Sequence, residues 1–401
     1  MTVMTHVELA QNDICSRPSL YRNSVTVAAH HFGEKPVFCF APEVLAQQAQ
    51  LFLTHFPGEV SYAVKANPSD YVIETLYKSG IKVFDVASVV EMESVARLCG
   101  PVEFHYHNPV KSRAEIATAF HTFACRRFAA DSVEEISKIS QITGPHTGVE
   151  IAIRFRLPKQ GMSAHDFSSK FGVDEAGAAN LMKMAVSLGF EPILTFHPGS
   201  QCTDPAAWAS HIEAASRIAK NAGIELNRLN VGGGFPSTYT GSQGPCLQDY
   251  FKVISDSLLA EFGQNAPELE CEPGRALCAG STSLLTRVKL VRSATGDVFL
   301  NDGIYGGLLE VAQAPALQPF IRVIRNGFLL ETSDKTGFTV FGPTCDPLDV
   351  LPHKLALPFD IQEDDIIEFA GIGAYGTATS TRFNGYGNAD VVMVSEAFVG
   401  E

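Results

Sequence analysis

Positive charge is scarce in this chain: 30 Lys and Arg stand against 44 Asp and Glu, a formal net charge of −14. Nucleic-acid binding draws on clustered Lys and Arg. No such cluster occurs, so a small-molecule ligand is expected and a nucleic acid is not. No run of about 18 apolar residues is present, which predicts no membrane span. The nine cysteines form no CxxC pair and no Cys/His zinc spacing. That excludes a zinc site of the usual kind, and the cysteines read as reduced thiols. Met1 to Arg22 lacks the apolar block of a signal peptide, so a cytoplasmic protein is expected. Internal repeats and low-complexity linkers are also missing. What is there is 45% hydrophobic and 18% charged residues, the balance of a globular enzyme.

At 401 residues the chain is too long for one ordinary core, and two domains are expected. Short strand candidates at Val25–Ala28 and Pro36–Phe40 precede a helical stretch from Pro42 to Phe56. A rhythm of strand, turn and helix then begins. Eight apolar strand candidates follow: Val60–Val64, Lys82–Val86, Val102–Tyr106, Arg127–Ala130, Val149–Phe155, Ile193–Phe196, Arg228–Val231 and Glu268–Cys271. Helical periodicity lies between them, as in Val90–Leu98 and Ala206–Ala222. This alternation predicts a parallel (β/α)8 barrel, with a doubly wound open sheet as the competing arrangement. After Gly280 helical stretches nearly vanish and strands follow one another across Gly/Pro turns. The expected architecture is α/β: a barrel over 36–280, and an all-β domain over 281–401 that also takes in 1–35.

In a (β/α)8 barrel, chemistry collects just past the carboxyl ends of the strands. Lys65 follows the first strand and Asp85 lies near the end of the second. Asn108 and Asp131 follow the third and fourth, and Arg154 lies near the end of the fifth. His197 closes the sixth, Gly232-Gly233-Gly234 follows the seventh, and Glu272 and Arg275 follow the eighth. A lysine among apolar neighbours is expected to have a lowered pKa and to act as a Schiff-base nucleophile; a surface lysine is the plain alternative. Three glycines can cradle an anion through their amides, or simply form a turn. Glu272-Pro273-Gly274-Arg275 offers a carboxylate to a ring nitrogen and a planar fork to a phosphate, or else a structural salt bridge. Lysine, cradle, carboxylate and an imidazole to stack on a ring converge on pyridoxal phosphate.

The motifs SYAVKAN (61–67), FDVAS (84–88), KFG (170–172), FHPGSQCTDP (196–205), NVGGGFP (230–236), EPGR (272–275), NDGIYG (301–306), GPTCDPLD (342–349) and GAYGTATSTRFNGY (373–386) extend this pattern. With them the chain resembles the ornithine decarboxylase-like group of pyridoxal-phosphate enzymes, which share the alanine-racemase-type barrel. The resemblance implies that Lys65 holds the cofactor covalently, His197 stacks on its ring and Glu272 partners the pyridine nitrogen. Ser200, Gly233, Gly234, Gly274, Arg275 and Tyr375 would bind the phosphate end, with Asp85 and Arg154 positioning the reactive lysine. It further implies an obligate homodimer in which Cys345, a proton donor, and Asp346 reach into the neighbouring subunit's site, with Tyr305 also a substrate-binding residue.

The implied reaction is decarboxylation of a basic L-amino acid, ornithine or lysine first, to the amine and CO2, as in polyamine biosynthesis. One departure qualifies the substrate. Where ornithine-specific relatives carry an aromatic-Asp pair, this chain reads Gln313-Ala314-Pro315. Glu310 is a candidate substitute for the lost carboxylate. The alternative is a different or substituted diamino acid, as in siderophore or other specialised biosynthesis. Diaminopimelate decarboxylases carry Glu-Ser-Gly after the cysteine, where this chain has Asp346-Pro347-Leu348. A racemase needs a second base that no residue supplies. A non-catalytic regulatory protein of this fold would typically have lost the lysine, the cradle or the cysteine, and all three are present.

Overall fold

The computed structural model describes residues 20–30, 33–144, 148–158, 170–242, 244–314 and 317–400. Pro315 and the first 19 residues, for which expectations were stated above, lie outside them.

Eight parallel strands close into a barrel: Glu59–Ala63, Val83–Val86, Glu103–Tyr106, Arg127–Ala130, Glu150–Arg154, Glu191–Thr195, Arg228–Asn230 and Glu268–Cys271. The last pairs with the first, Glu270 opposite Glu59 and Cys271 opposite Val60, so no edge is left open. All eight expected strands are present within a residue or two. The helices between them run from Asp70–Lys78 to Leu247–Phe262. Several begin at capped serines: Ser88, Ser112 and Ser132 each accept from the amide three residues on. Only a short helix, Arg275–Cys278, follows the eighth strand. Strand and helix faces meet in one large apolar core that includes Phe84, Phe128, Trp208 and Phe235.

The remaining strands form a ten-stranded sheet whose main path runs Leu20–Tyr21, Asp390–Val394, Val37–Phe40, Thr282–Arg292, Asp297–Leu300, Lys335–Phe341, Leu355–Pro358. Two expectations change. Val25–Ala28 lies inside a helix, Ser24–His30, because Asn23 caps it: its Oδ1 accepts from the Thr26 amide at 3.1 Å. Val37–Phe40 is hydrogen-bonded between Thr282–Leu285 and Asp390–Met393, so it belongs to the sheet and not to the barrel. We place the boundary between the two units after Phe40.

Beneath the barrel's upper end the interior is charged. His105 Nδ1 lies 2.5 Å from Glu270 Oε1, and Arg127 Nη1 donates to Glu270 Oε2 at 2.7 Å. Burial opposes charge on His105, but Glu270 and Glu103 outweigh it and raise its pKa to about 9. A folded-state value above the unfolded one gives stability that is complete below about pH 6.5 and fades as pH climbs through about 9. The expected stabilisation is roughly 3 kcal/mol. Burial drives Lys111 the other way, to about 8, against its partner Glu135. The check is therefore a difference. The melting temperature of wild type should lose ground to a His105→Gln variant between about pH 6.5 and 9.5.

Candidate active site

The turn after the first barrel strand carries Lys65 on a single 3-10 turn, Val64–Ala66, because Asn67-Pro68 ends the extended run. Buried contacts hold that turn in place. Tyr62 OH donates to the Asn67 carbonyl at 3.0 Å and Asn67 Nδ2 donates to the Gly373 carbonyl at 2.8 Å. The Tyr375 amide reaches the Ala66 carbonyl at 2.7 Å from a backbone with φ +60°, a conformation uncommon for a residue with a side chain. Gly274 completes the packing: a Cβ there would come within 2.8 Å of Ala66 Cβ.

Lys65 projects into a cavity of about 260 Å³ at the carboxyl ends of the strands. Asp85, Arg154, His197, Glu272 and Tyr375 line the same cavity, so five residues singled out in the sequence meet around the lysine. Asp131 instead secures the wall, accepting from the Gly172 amide at 2.9 Å. Asn108 lines the cavity and ties down the neighbouring loop through its carbonyl, 2.8 Å from Lys111 Nζ.

The electrostatics depart from expectation at the lysine. Lys65 Nζ lies 2.9 Å from Asp85 Oδ2. Burial disfavours its charge, but Asp85 and Glu272 outweigh that and hold its pKa above the usual lysine value, the reverse of the lowering expected. The resting amine is an ammonium and must shed a proton before it can attack a carbonyl. His197 behaves oppositely. Burial, with Arg154 and Lys65 nearby, pushes it down to about 3. Its Nδ1 accepts from the Gly199 amide at 3.0 Å, which leaves a neutral ring suited to stacking.

Glu272 is held by two residues that the sequence reading missed. His107 Nδ1 and Asn230 Nδ2 both donate to its Oε1, the latter at 2.6 Å. Burial works against its charge, yet His107, Lys65 and Asn230 keep its carboxyl well below the usual range. Both contacts fall on one oxygen, and Glu272 also lines the cavity. His107 had a signal in the sequence: it stands two residues after His105, just past the strand end, and so is expected on the same, interior side.

The glycines build a cradle by close approach. A Cβ on Gly234, at φ +90°, would lie 2.3 Å from the Gly199 carbonyl, and one on Gly233 would lie 2.6 Å from the Glu272 carbonyl. Beside them Arg275 is buried, with Nη2 3.2 Å from Ser200 Oγ and Nη1 2.9 Å from Tyr239 OH. Tyr239 was not anticipated. Nor was the partner of Arg275, since Glu310 takes both terminal nitrogens of the guanidinium, Oε2 lying 2.8 Å from Nη1. Glu310, the candidate substitute for the missing distal carboxylate, is thus paired with Arg275.

Three predicted residues lie elsewhere. Tyr305 OH donates to Asp346, Cys345 Sγ is 3.2 Å from Asn384 Oδ1, and Phe383 packs against Tyr305 at 4.8 Å between ring centroids. Cys345 is exposed and Asp346 half-buried, and neither lines the Lys65 cavity of its own chain.

The arrangement fits a flat ring with an anionic tail. Close approach excludes a Cβ at Gly233 and Gly234, Glu272 lines the cavity, and His107 Nε2 is buried without a partner among the described residues. Comparison with known proteins agrees. A family profile, "Pyridoxal-dependent decarboxylase, pyridoxal binding domain", matches residues 43–279. An ornithine decarboxylase of Panagrellus redivivus is 30% identical over 81% of this chain and 77% of its own length. A lysine/ornithine decarboxylase of Selenomonas ruminantium is 28% identical over 90% of each chain. The crystal structure of the Paramecium bursaria Chlorella virus arginine decarboxylase bound to agmatine superposes with a TM-score of 0.81 at 25% identity, covering 92% of this chain and 98% of that one.

Proposed function

Because the chain belongs to the pyridoxal-dependent decarboxylase family, we propose that it removes the carboxyl group of a basic L-amino acid, ornithine or lysine first, as a cytoplasmic homodimer with shared sites. The observation that carries this reading is the convergence of Lys65, Asp85, His197 and Glu272 on one cavity. Relatives named for lysine, ornithine and arginine support a basic substrate. Pyridoxal phosphate, when bound, supplies the electron sink that takes up the bonding pair left behind as CO2 departs. Lys65 would hold it, with Asp85 receiving and returning the proton that the lysine sheds. Glu272, fixed by His107 and Asn230, would hold a proton on the ring nitrogen. The neutral His197 ring would cover one face and exclude water from it.

The dimer supplies what one chain's cavity lacks. Cys345 and Asp346 stand on an exposed part of the sheet domain, beside Leu348 at 69% and Phe383 at 43% exposure. In a two-fold pair this surface would meet the partner's cavity, and the Cys345 thiol would return a proton to the α-carbon. Mixing Lys65→Ala chains with Cys345→Ala chains should restore about a quarter of wild-type activity, because half the random pairs then contain one intact site of two. No recovery would separate Cys345 from the partner's reaction.

A second reading, a substituted diamino acid, is favoured at the segment that departs from the ornithine pattern. Ala314 is buried and carries no carboxylate, and Glu310 is engaged with Arg275. Leaving one such ammonium with a single carboxylate weakens its binding. A CO2-release screen over ornithine, lysine, arginine, diaminobutyrate, diaminopimelate and their acylated derivatives decides. Fastest turnover of ornithine or lysine supports the first reading, and turnover of acylated substrates alone supports the second.

A further inference from the structure

The guanidinium of Arg275 has five N–H groups, and protein atoms already accept from all of them. Nε and Nη2 point at Ser200 Oγ, at 3.4 and 3.2 Å. Nη1 donates to Tyr239 OH at 2.9 Å and to Glu310 Oε2 at 2.8 Å, and Nη2 donates to Glu310 Oε1. The edge formed by the two terminal nitrogens, one of the two edges by which arginine grips a phosphate, is therefore filled by a carboxylate. Both partners are shielded from water, with 3% of the Arg275 and 16% of the Glu310 side chain exposed. The Arg275 charge is already matched before any anion arrives, and in a poorly solvated site a second negative charge nearby is costly. Arg275 does not need Glu310 to stay in place, because Ser200 and Tyr239 bond it and the Tyr375 ring lies 5.1 Å from it. Glu310 stands on a short helix, Leu309–Gln313, that leads directly into Ala314. The segment that departs from the ornithine pattern thus follows closely on the residue paired with Arg275.

We propose that Glu310 is a positioning residue acting as a charge brake on the cofactor's phosphate: it occupies one edge of Arg275 and weakens the hold on any phosphate-bearing ligand. This rests on the family's cofactor binding in the cavity described above. The attachment to Lys65 and the ring contacts then supply most of the grip, and the phosphate contributes less than a free arginine would allow. Wherever a phosphate binds, either Glu310 withdraws from Arg275 or the two anions share one cation.

The test compares two probes, pyridoxal phosphate and pyridoxal, which lacks the phosphate, by absorbance titration of apoenzyme. Glu310→Gln keeps the shape and removes the charge. It should bind pyridoxal phosphate roughly tenfold more tightly or better, leave pyridoxal affinity unchanged, and let inorganic phosphate compete at lower concentration. Glu310→Ala should shift in the same direction. The variant apoenzyme, with Arg275 unmatched, should melt earlier than wild type and gain more on adding pyridoxal phosphate. Unchanged or weaker pyridoxal phosphate binding by Glu310→Gln overturns the proposal, since the carboxylate would then only orient Arg275. So does an equal change for pyridoxal, which places the effect away from the phosphate. Wild-type apoenzyme that captured neither probe would remove the cofactor reading itself, and the brake with it.

Discussion

Lys65→Ala should lower CO2 release by at least about 10³-fold and leave the protein unable to hold its cofactor covalently. The expectation follows from placement. Lys65 lines the cavity, with its amine 2.9 Å from Asp85. Fold stability should change little, because the residues that anchor its turn, Tyr62, Asn67 and Tyr375, stay in place. The charge state adds a second signature. Because Asp85 and Glu272 hold the amine as an ammonium, wild-type apoenzyme should capture the cofactor faster as pH rises. An Asp85→Asn variant should capture it with a profile displaced to lower pH. Single-turnover CO2 release, with stopped-flow absorbance of cofactor capture, checks both. A Lys65→Ala enzyme with near-normal turnover would show that another amine does this work.

Glu272→Ala carries the second large effect, a fall in kcat of roughly 10²- to 10³-fold with much less change in KM. In the proposed reaction the carboxylate would act at the cofactor's ring nitrogen and not on the incoming amino acid. Removing it also strips His107 Nδ1 and Asn230 Nδ2 of their shared acceptor. That should cost roughly 1 to 3 kcal/mol of stability. Steady-state kinetics beside a thermal melt separate the two consequences, since a purely structural role would move the melt and spare kcat at low temperature. Glu272→Gln keeps hydrogen bonding but not charge, so it should recover part of the stability and little of the rate.

The barrel was legible because its strands are short, buried and parallel, and so read as apolar blocks at a regular spacing. All eight appear with the helices expected between them. Val25–Ala28 was misread because its β-branched residues suit a strand, while the Asn23 side chain commits the backbone to a helix. Leu355–Pro358 gives little signal in the sequence, because a four-residue strand ending in proline has too little pattern to stand out. In the site, residue types at strand ends located the cavity, but their charges could not be read from chain neighbours. Lys65 is flanked by Val64 and Ala66, which suggests a depressed pKa, yet Asp85 reaches it from the next strand. The roles of His107, Tyr239 and Glu310 exist only through partners distant in the chain: Glu272 for the first and Arg275 for the other two.

The most direct measurement is where the cofactor attaches. Holoenzyme is reduced with borohydride, digested, and mapped by mass spectrometry for the pyridoxyl adduct. A cofactor anchored above the barrel beside Asp85 and Glu272 predicts one modified site, on the peptide carrying Lys65. An adduct confined to Lys170 or Lys111, or no adduct from protein that shows the cofactor's absorbance, would contradict it.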